Sequence, residues 1–330
     1  MPERDAVKVK LSDATAPLYA VLDGAKFEDL PSLLFDNDFS HKPLYHNTGS
    51  ELREVEMTVP HLVRFDTWKY WENDLSSAQR LDALLGLMED LSAAVFWEYE
   101  GEVKYLFRHL RTINYVMIPR DADTPPMPDP LDPEGDTFGN TNTHQQVLFR
   151  HADANVMAQV LPVLSSKQLS RFMGPARAVI FAPNAEWRLE ETVIRVDNPK
   201  DTYNTTHPLK LSQSEMDMIE RRRIEVRRWR TVAFLKQDFD DTDPKIDEQF
   251  LYQITVNSEA SANEIGIESE INMWLWAWLS LISDEASLNH RGLRQLIKDT
   301  ATFPDVALEL ICDDIDYMDT FNLEGFVHGK

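Results

Sequence analysis

Residues Val147–Pro183 read VLFRHADANVMAQVLPVLSSKQLSRFMGPARAVIFAP, and this stretch carries the clearest structural punctuation in the chain. It begins with a short apolar run, Val147–Phe149, of the length expected for a buried strand. Asp153 is placed to cap a following helix, because its side chain can accept hydrogen bonds from the first backbone N–H groups. Pro162 is placed to end that helix, since proline has no N–H to donate and clashes one turn back.

A second helix is predicted directly after this proline. Ser165 offers its N-cap, and the pair Gly174-Pro175 follows in the order that usually ends a helix. A second apolar strand is predicted at Ala178–Phe181. The stretch therefore predicts strand, helix, helix and strand, with the two helices packed over neighbouring strands of a compact α/β unit.

The residues before this stretch continue the alternation of short apolar runs and amphipathic segments. Strands are predicted at Leu18–Leu22, Leu44-Tyr45, His61–Phe65 and Ala93–Trp97. Helices are predicted at Phe27–Phe35, Leu75–Leu91 and Val103–Arg111. Such alternation is typical of an α/β (α+β) architecture. The predicted fold class is therefore an N-terminal α/β lobe with a mixed sheet flanked by helices.

The residues after it predict an all-helical C-terminal lobe. Long helices are expected at Glu215–Phe234, Ser269–Ile282 and Leu293–Tyr317. The first should bury a stripe formed by Met216, Ile219, Val226 and Ala233. The second should bury a stripe formed by Ile271, Leu275, Trp278 and Ile282. Trp276 then projects roughly opposite this stripe, either under another helix of the lobe or as an interface anchor.

Composition sets the boundaries between these regions. Residues 119–143 hold six prolines and many aspartates, so they cannot bury enough apolar surface to order themselves alone. A partner-contacting arm and a tolerated surface insertion are both open for this segment. A second irregular zone is taken as a linker. The predicted organisation is an N-terminal extension, an α/β domain with this insertion, a linker and a helical lobe, at residues 1–16, 17–183, 184–208 and 209–330.

The charge balance excludes several classes of partner. The chain has 330 residues with 33 basic and 56 acidic side chains, so its formal net charge is −23. Such a charge argues against nucleic acid or an anionic membrane as the main partner. A lone cysteine, Cys312, is typical of a reducing compartment. No signal peptide is evident, and the most apolar run, Met273–Ile282, is too short to span a membrane. These features predict a soluble cytoplasmic protein.

Sequence motifs for catalysis or cofactor binding are missing. The chain has 11 glycines but no glycine-rich phosphate loop and no GxSxG nucleophile elbow. Its histidines are scattered: His41 and His46 lack zinc-protease spacing, and His144 and His151 flank a loop and a strand. We therefore predict no cofactor and no metal site.

Two aspartates keep an enzymatic alternative open. Asp23 follows a predicted strand, where catalytic acids are common, and Asp153 begins a predicted helix. In one interpretation they line a cleft as the paired carboxylates of a hydrolase. In the other, both are structural, because turn and cap aspartates bond local backbone N–H groups. The structural interpretation also predicts that Arg150 pairs with a carboxylate inside the α/β lobe.

Three groups of residues resemble a known family. They are Leu148-Phe149-Arg150 with Asp153 and Gly174-Pro175, the opening Pro17–Ala25, and Pro60–Val63. Together they resemble the effector adaptor family of bacterial type VI secretion, also called effector chaperones or Tap/Tec adaptors. The motif positions are Tyr19, Asp23, Gly24, Phe149, Arg150, Asp153, Gly174 and Pro175.

The resemblance covers residues 17–183 and continues more loosely through 209–217 and 265–282. The chain departs from the family at His151, Ala152 and Asn155, where aromatic or basic residues are usual. Membership implies a non-enzymatic protein that holds a specific toxic effector in the cytoplasm and loads it onto the VgrG spike. The implied partners are therefore the effector and VgrG, and not nucleic acid or membrane.

Candidate partner-binding residues lie in the helical lobe. Interface energy concentrates in a few Trp, Tyr and Arg anchors, which favours Trp276, Arg221 and Arg228. The arginines belong to the only basic cluster of this acidic chain. This cluster is either a docking site for an acidic partner or is compensated internally by carboxylates at helical spacing and in the acidic stretch that follows.

Overall fold

The computed structural model describes residues 2–45, 58–65, 76–120, 143–201, 208–238, 246–283, 285–299 and 303–313. The chain divides into two compact units, Met1–Arg222 and Arg223–Lys330. Most of the predicted insertion at 119–143 lies outside the described residues, as do His46 and residues 202–207 of the predicted linker.

Among the described residues of the first unit, nine strands form two sheets. In chain order they are β1 (Leu18–Leu22), β2 (Ser40–Pro43), β3 (His61–Arg64), β4 (Ala94–Glu98), β5 (Tyr115–Pro119), β6 (His144–Leu148), β7 (Ala178–Phe181), β8 (Ile194–Asp197) and β9 (Leu209–Lys210). The main sheet has the order β2-β3-β1-β4-β7-β8, and its neighbouring strands are antiparallel. The smaller sheet is mixed, because β5 pairs antiparallel with β6 and parallel with β9.

The described helices flank these sheets and fill the second unit. In chain order they are α1 (Pro2–Ser12), α2 (Leu30–Asp36), α3 (Ser77–Leu87), α4 (Val103–Thr112), α5 (Ala154–Val160), α6 (Ser166–Met173), α7 (Gln213–Asp238), α8 (Glu248–Ile265), α9 (Glu270–Ile282), α10 (Ala286–Asn289), α11 (Arg291–Asp299) and α12 (Pro304–Asp313). The predicted fold class is confirmed: sheet with flanking helices in the N-terminal half and a helical C-terminal region.

The helix caps expected in Val147–Pro183 are present. The Asp153 carboxylate caps α5. Ser165 and Gln168 form a capping box at the start of α6. The backbone N of Gln168 donates to Oγ of Ser165, and the backbone N of Ser165 donates to Oε1 of Gln168. Gly174 ends α6 with φ of +55°. The local start and stop signals of this stretch therefore predict both helices correctly.

The placement of these helices over neighbouring strands is wrong. They connect β6 of the smaller sheet to β7 of the main sheet. The strand β6 pairs instead with β5, which the sequence analysis did not predict. The partner of a strand depends on distant chain segments, so the punctuation of one stretch does not reveal it.

The core of the first unit lies against the main sheet. The strands β4 and β7 are buried along their whole length. The predicted N-terminal extension contains α1, whose Val7 and Leu11 are 2% exposed and join this core. The strand β9, which begins the predicted helical lobe, pairs within the first unit.

In the second unit the most deeply buried face of α9 differs from the predicted stripe, although Leu275, Trp278 and Ile282 of that stripe pack against the core. In α9, Trp276 is fully buried, whereas Ile271 is 49% exposed and Leu275 is partly buried. The helix packs against α8 and α12, and this contact buries the face of Met273, Trp276 and Leu279. The helix α7 begins in the first unit, where Ile219 is buried as expected and Met216 is only partly buried. In its part within the second unit, Val226 is buried as expected and Ala233 is exposed.

Candidate functional site

A group of charged side chains lies at one edge of the main sheet. Because β1 and β7 are both antiparallel to β4, their carboxyl ends share an edge with the amino end of β4. This edge collects residues from three chain segments. We call them the sheet-edge network: Asp23, Lys26, Asp90, Arg150 and Asp153.

Asp23 follows β1 and is 3% exposed. Its Oδ1 accepts a hydrogen bond from the backbone N of Ala25 at 3.2 Å, which caps a short 3₁₀ turn that opens at Gly24. Its Oδ2 lies 2.5 Å from Nη2 of Arg150. Both carboxylate oxygens are therefore engaged by the protein.

Asp153 is 6% exposed and approaches the same guanidinium. Its Oδ1 accepts from the backbone N of Asn155 at 2.9 Å and lies 3.2 Å from Nζ of Lys26. Its Oδ2 lies 3.6 Å from Nη2 of Arg150. The expected helix cap and the expected pairing of Arg150 inside the α/β lobe are confirmed.

Lys26 and Asp90 complete the network, and sequence reasoning missed both. The Lys26 ammonium lies 3.3 Å from Oδ2 of Asp90 and donates to Oγ of Ser92. Burial by itself raises the pKa of Asp90, but hydrogen bonds from Ser92 and the charge of Lys26 hold it below its usual value. The only sequence feature that pointed to these members of the network was the position of Lys26, three residues after the turn aspartate Asp23.

Tyr45 lies near this network. Burial raises the pKa of its hydroxyl, and the neighbouring Tyr115 and Asp23 raise it further. The phenol is therefore held in its protonated form and can donate a hydrogen bond. This residue was predicted as part of a strand and not as part of a site.

A small cavity of about 260 Å³ adjoins the network. Its lining includes Asp90, Asn184 and Ala182. A carboxylate pair that hydrolyses a substrate needs oxygens that water and substrate can reach. In this arrangement the Asp23 and Asp153 oxygens contact a cap N–H, a guanidinium or an ammonium instead. Within the described residues, no group of three His, Cys, Asp or Glu side chains is placed to hold a metal ion.

Two histidines of the same unit, His151 and the partly buried His109, have pKa values that their surroundings lower. His151 is fully buried and its Nε2 lies 2.9 Å from Oδ1 of Asn114. Burial lowers its pKa to about 3, and burial likewise lowers the pKa of His109 to about 4. Both rings are therefore neutral near pH 7. No sequence pattern predicted the burial of these two histidines.

Gly174, which ends α6, packs so closely against the His109 ring that a side chain does not fit there. Nε2 of His109 lies 2.8 Å from the backbone O of Phe172. A Cβ atom added to Gly174 would overlap the His109 ring. Gly174 also has a positive φ, which side chains disfavour. Close packing against the His109 ring therefore explains why this motif position holds a glycine.

The other motif residues have structural surroundings. Tyr19 lies in β1 with its ring 6.4 Å from that of Tyr99. Phe149 is 4% exposed, and its ring centroid lies 5.9 Å from that of Phe172. Pro175 is exposed beyond the end of α6.

Two of the three candidate partner-binding residues are engaged inside the second unit. Trp276 is fully buried in a core cluster, so of its two predicted placements the one under other helices of the lobe is confirmed and the interface anchor is wrong. Nε of Arg228 lies 2.6 Å from Oε2 of Glu259, which also pairs with Arg227. The internal compensation of the arginine cluster is thus observed for Arg228. Arg221 is exposed, and its Nε lies 3.2 Å from the backbone O of Asp217.

Comparison with known proteins gives no relative for this chain. No helix among the described residues is both long and apolar enough to cross a membrane. No protein-family model, no curated protein and no solved structure matches the sequence or the fold.

Proposed function

We propose that this chain is a non-enzymatic adaptor of type VI secretion. In this proposal it binds a specific effector in the cytoplasm and loads it onto the VgrG spike. The basis is the resemblance of Pro17–Ala25, Pro60–Val63 and Leu148–Pro175 to that family. The net charge of −23 favours basic clients and keeps a complex soluble.

One structural observation supports this proposal over the hydrolase. Asp23 and Asp153, the acids of the enzymatic alternative, are both buried and both engaged in caps and ion pairs. Groups in such contacts stabilise the fold, and their oxygens are not presented to a substrate. The observation that favours the hydrolase is that both acids approach one guanidinium beside a cavity of about 260 Å³.

Co-purification tests the adaptor proposal directly. The tagged chain is expressed with the product of the neighbouring effector gene, and then with the VgrG protein encoded beside it. We expect a stable complex with the effector and a ternary complex when VgrG is added. Failure of both proteins to co-elute with the folded chain would contradict the proposal.

Substitution of Asp23 distinguishes the adaptor from the hydrolase. Asp23→Asn preserves the shape of the side chain while removing its charge. An adaptor is expected to keep effector binding in this variant once it is folded. A hydrolytic activity of the purified chain that disappears in Asp23→Asn, with binding to neither partner, would favour the enzyme.

A further inference from the structure

A cluster of basic side chains lies in the first unit, where α4 meets β2. The lysines and arginines of these two elements are Lys42, Lys104, Arg108 and Arg111. Neither element contains an aspartate or a glutamate. In a chain with a net charge of −23, this surface is a local reversal of sign. The cluster joins two distant chain segments, so the order of the sequence did not predict it.

One aromatic ring holds two of these cations together. Nζ of Lys42 lies 4.3 Å from the ring centroid of Phe107, and Cζ of Arg111 lies 5.9 Å from the same centroid. Cations within about 6 Å of an aromatic ring are attracted by its negative face. Phe107 therefore brings a lysine of β2 close to an arginine that lies one helical turn further along α4.

The exposed side of α4 adds a third cation. Arg108 lies three residues before Arg111, and residues at this spacing are neighbours on a helix surface. The opposite side of the helix carries the buried Leu106 and Leu110. Lys42, Arg108 and Arg111 are all exposed. We call these three residues the basic face.

The basic face has no anion of its own. Among the residues that the structure describes, no carboxylate forms an ion pair with any of its three cations. The neighbouring Lys104 differs, because its Nζ lies 2.6 Å from Oε2 of Glu102. Two positive charges beside one ring repel each other, and an incoming anion offsets this repulsion. A carboxylate that reaches this surface therefore meets several cations that have no competing anion.

The size and surroundings of the basic face distinguish between classes of anionic partner. Nucleic acids and anionic membranes present long arrays of charge. A chain with a net charge of −23 repels such an array beyond the small basic face. A short run of carboxylates meets the three cations without extending past them. Guanidinium groups also bind carboxylates through two parallel hydrogen bonds, which favours an acidic protein segment.

We propose that the basic face docks an acidic segment of a partner protein. That segment carries two or three aspartates or glutamates close together in sequence. Tyr105, three residues before Arg108, is 48% exposed and offers its ring to an apolar side chain of the same segment. The inference goes beyond the adaptor function and does not depend on it. It assigns the docking to the first unit.

A designed peptide tests the proposal on the full chain. The probe is a fluorescent 12-residue peptide of Glu and Ala with one Leu, and fluorescence anisotropy measures its binding. We expect the double variant Arg108→Gln/Arg111→Gln to weaken binding at least fivefold, with unchanged thermal unfolding because both side chains are exposed. Added salt should weaken binding to the wild type more than binding to the variant. Absence of saturable binding to the wild type would overturn the proposal.

The second unit supplies a matched control. Arg291 and Lys298 are exposed cations of α11. Arg291→Gln/Lys298→Gln removes the same charge as the variant of the basic face, and it should change the peptide's Kd less than twofold. Equal weakening by the two double variants would mean that the peptide responds only to the net charge of the chain. That result would overturn a specific docking surface.

Other anions test the preference for protein. A fluorescent 12-nucleotide single-stranded DNA and vesicles of phosphatidylserine and phosphatidylcholine replace the peptide in the same assay. We expect both to bind more weakly than the acidic peptide. Tighter binding of the DNA or the vesicles, lost in Arg108→Gln/Arg111→Gln, would assign the basic face to that class of ligand and overturn the proposal.

Sedimentation and charge removal test occupants that belong to the chain itself. A concentration-dependent dimer that Arg108→Gln/Arg111→Gln dissociates would assign the basic face to a second copy. Residues 121–136 contain six acidic residues and no basic one. Tighter peptide binding after these six are replaced by the corresponding amides would assign the basic face to the chain's own acidic residues. Either outcome overturns docking of a partner protein.

Discussion

Both units bury charged side chains, but they use them differently. In the first unit, Asp23 and Asp153 cap turns and helices at the edge of a sheet, where Arg150 joins them. In the second, Glu259 on α8 accepts from Arg227 and Arg228 of α7 and ties two helices together. The caps of the first arrangement grow from local turns, although its pair of Arg150 with Asp23 joins residues far apart in the chain, whereas the second arrangement depends on how two helices pack. Local sequence therefore reveals the first more readily.

The largest expected effect is at Gly174, on the side of the comparison that local sequence predicts. Gly174→Ala must place a Cβ atom against His109 at a positive φ. Overpacking and backbone strain together should lower the free energy of unfolding by about 3 to 5 kcal/mol. Urea unfolding measures this loss.

The second unit supplies the control for this glycine. Gly266 has φ of +82°, but a Cβ there meets its nearest neighbour, Cγ of Pro304, at 3.4 Å. Gly266→Ala should therefore cost only about 1 to 2 kcal/mol, from backbone conformation alone. If both variants lost the same unfolding free energy, the His109 ring would move aside for the new Cβ atom without destabilising the fold.

Acid should act next most strongly, through the core of the first unit. The folded pKa values of His109 and His151 are about 4 and about 3, below the unfolded value of about 6.5. The unfolded chain therefore binds more protons, and stability is lost as the pH falls below about 6.5. At pH 5 each histidine should lower the free energy of unfolding by about 2 kcal/mol.

A variant isolates one histidine's share of this acid sensitivity. His151→Gln keeps a polar side chain but removes the titrating ring. Between pH 5 and pH 6, its unfolding free energy should depend on pH less steeply than the wild type by about 1.2 kcal/mol per pH unit. Chemical unfolding at several pH values measures both slopes. An unchanged slope would mean that the ring binds protons in the folded state as readily as in the unfolded chain.

Removal of the helix-joining carboxylate tests the other side of the comparison. Glu259→Ala leaves Arg227 and Arg228 without this partner, and we expect a loss of about 2 kcal/mol. Lys236 and Glu248 join the same two helices at 2.9 Å, but both are well exposed. Glu248→Ala should cost less than about 0.5 kcal/mol. Equal losses in thermal or urea unfolding would contradict a special role for burial.

These contrasts explain how much the sequence predicted. Caps and stops depend on a few adjacent residues, so Asp153, Ser165 and Gly174 were assigned correctly. The pairing of β6 with β5 depends on residues about thirty positions apart, and the pattern of either strand does not reveal it.

Helix faces were harder to predict for a related reason. The helix α9 carries apolar residues on several of its faces. Periodicity alone therefore could not show whether the face of Ile271 or that of Trp276 is buried. Packing against α8 and α12 decides in favour of Trp276. In the candidate site, Asp23 and Asp153 were identified in advance, but Lys26 and Asp90 meet them only through the fold.

A smaller effect separates the two roles of Asp153. Asp153→Asn keeps an oxygen that can cap α5 but loses the charge that faces Lys26 and Arg150. Asp153→Ala loses the cap as well, so it should be about 1 kcal/mol less stable than the Asn variant. Thermal and urea unfolding of both variants measure the difference. Equal stability of the two would show that the cap contributes nothing to the first unit.

The smallest effect on stability is expected at Arg221, where α7 is exposed. Arg221→Glu should change the unfolding free energy by less than about 0.5 kcal/mol, because surface substitutions away from packed contacts have little effect. Arg228→Ala on the same helix removes the pair with Glu259 and should destabilise the chain measurably. If Arg221 instead guides an acidic partner, its reversal should slow association with VgrG at low salt and much less at high salt. Association rates measured across ionic strength decide this point. A rate that Arg221→Glu leaves unchanged at every salt concentration would make Arg221 a solvated side chain without a docking role.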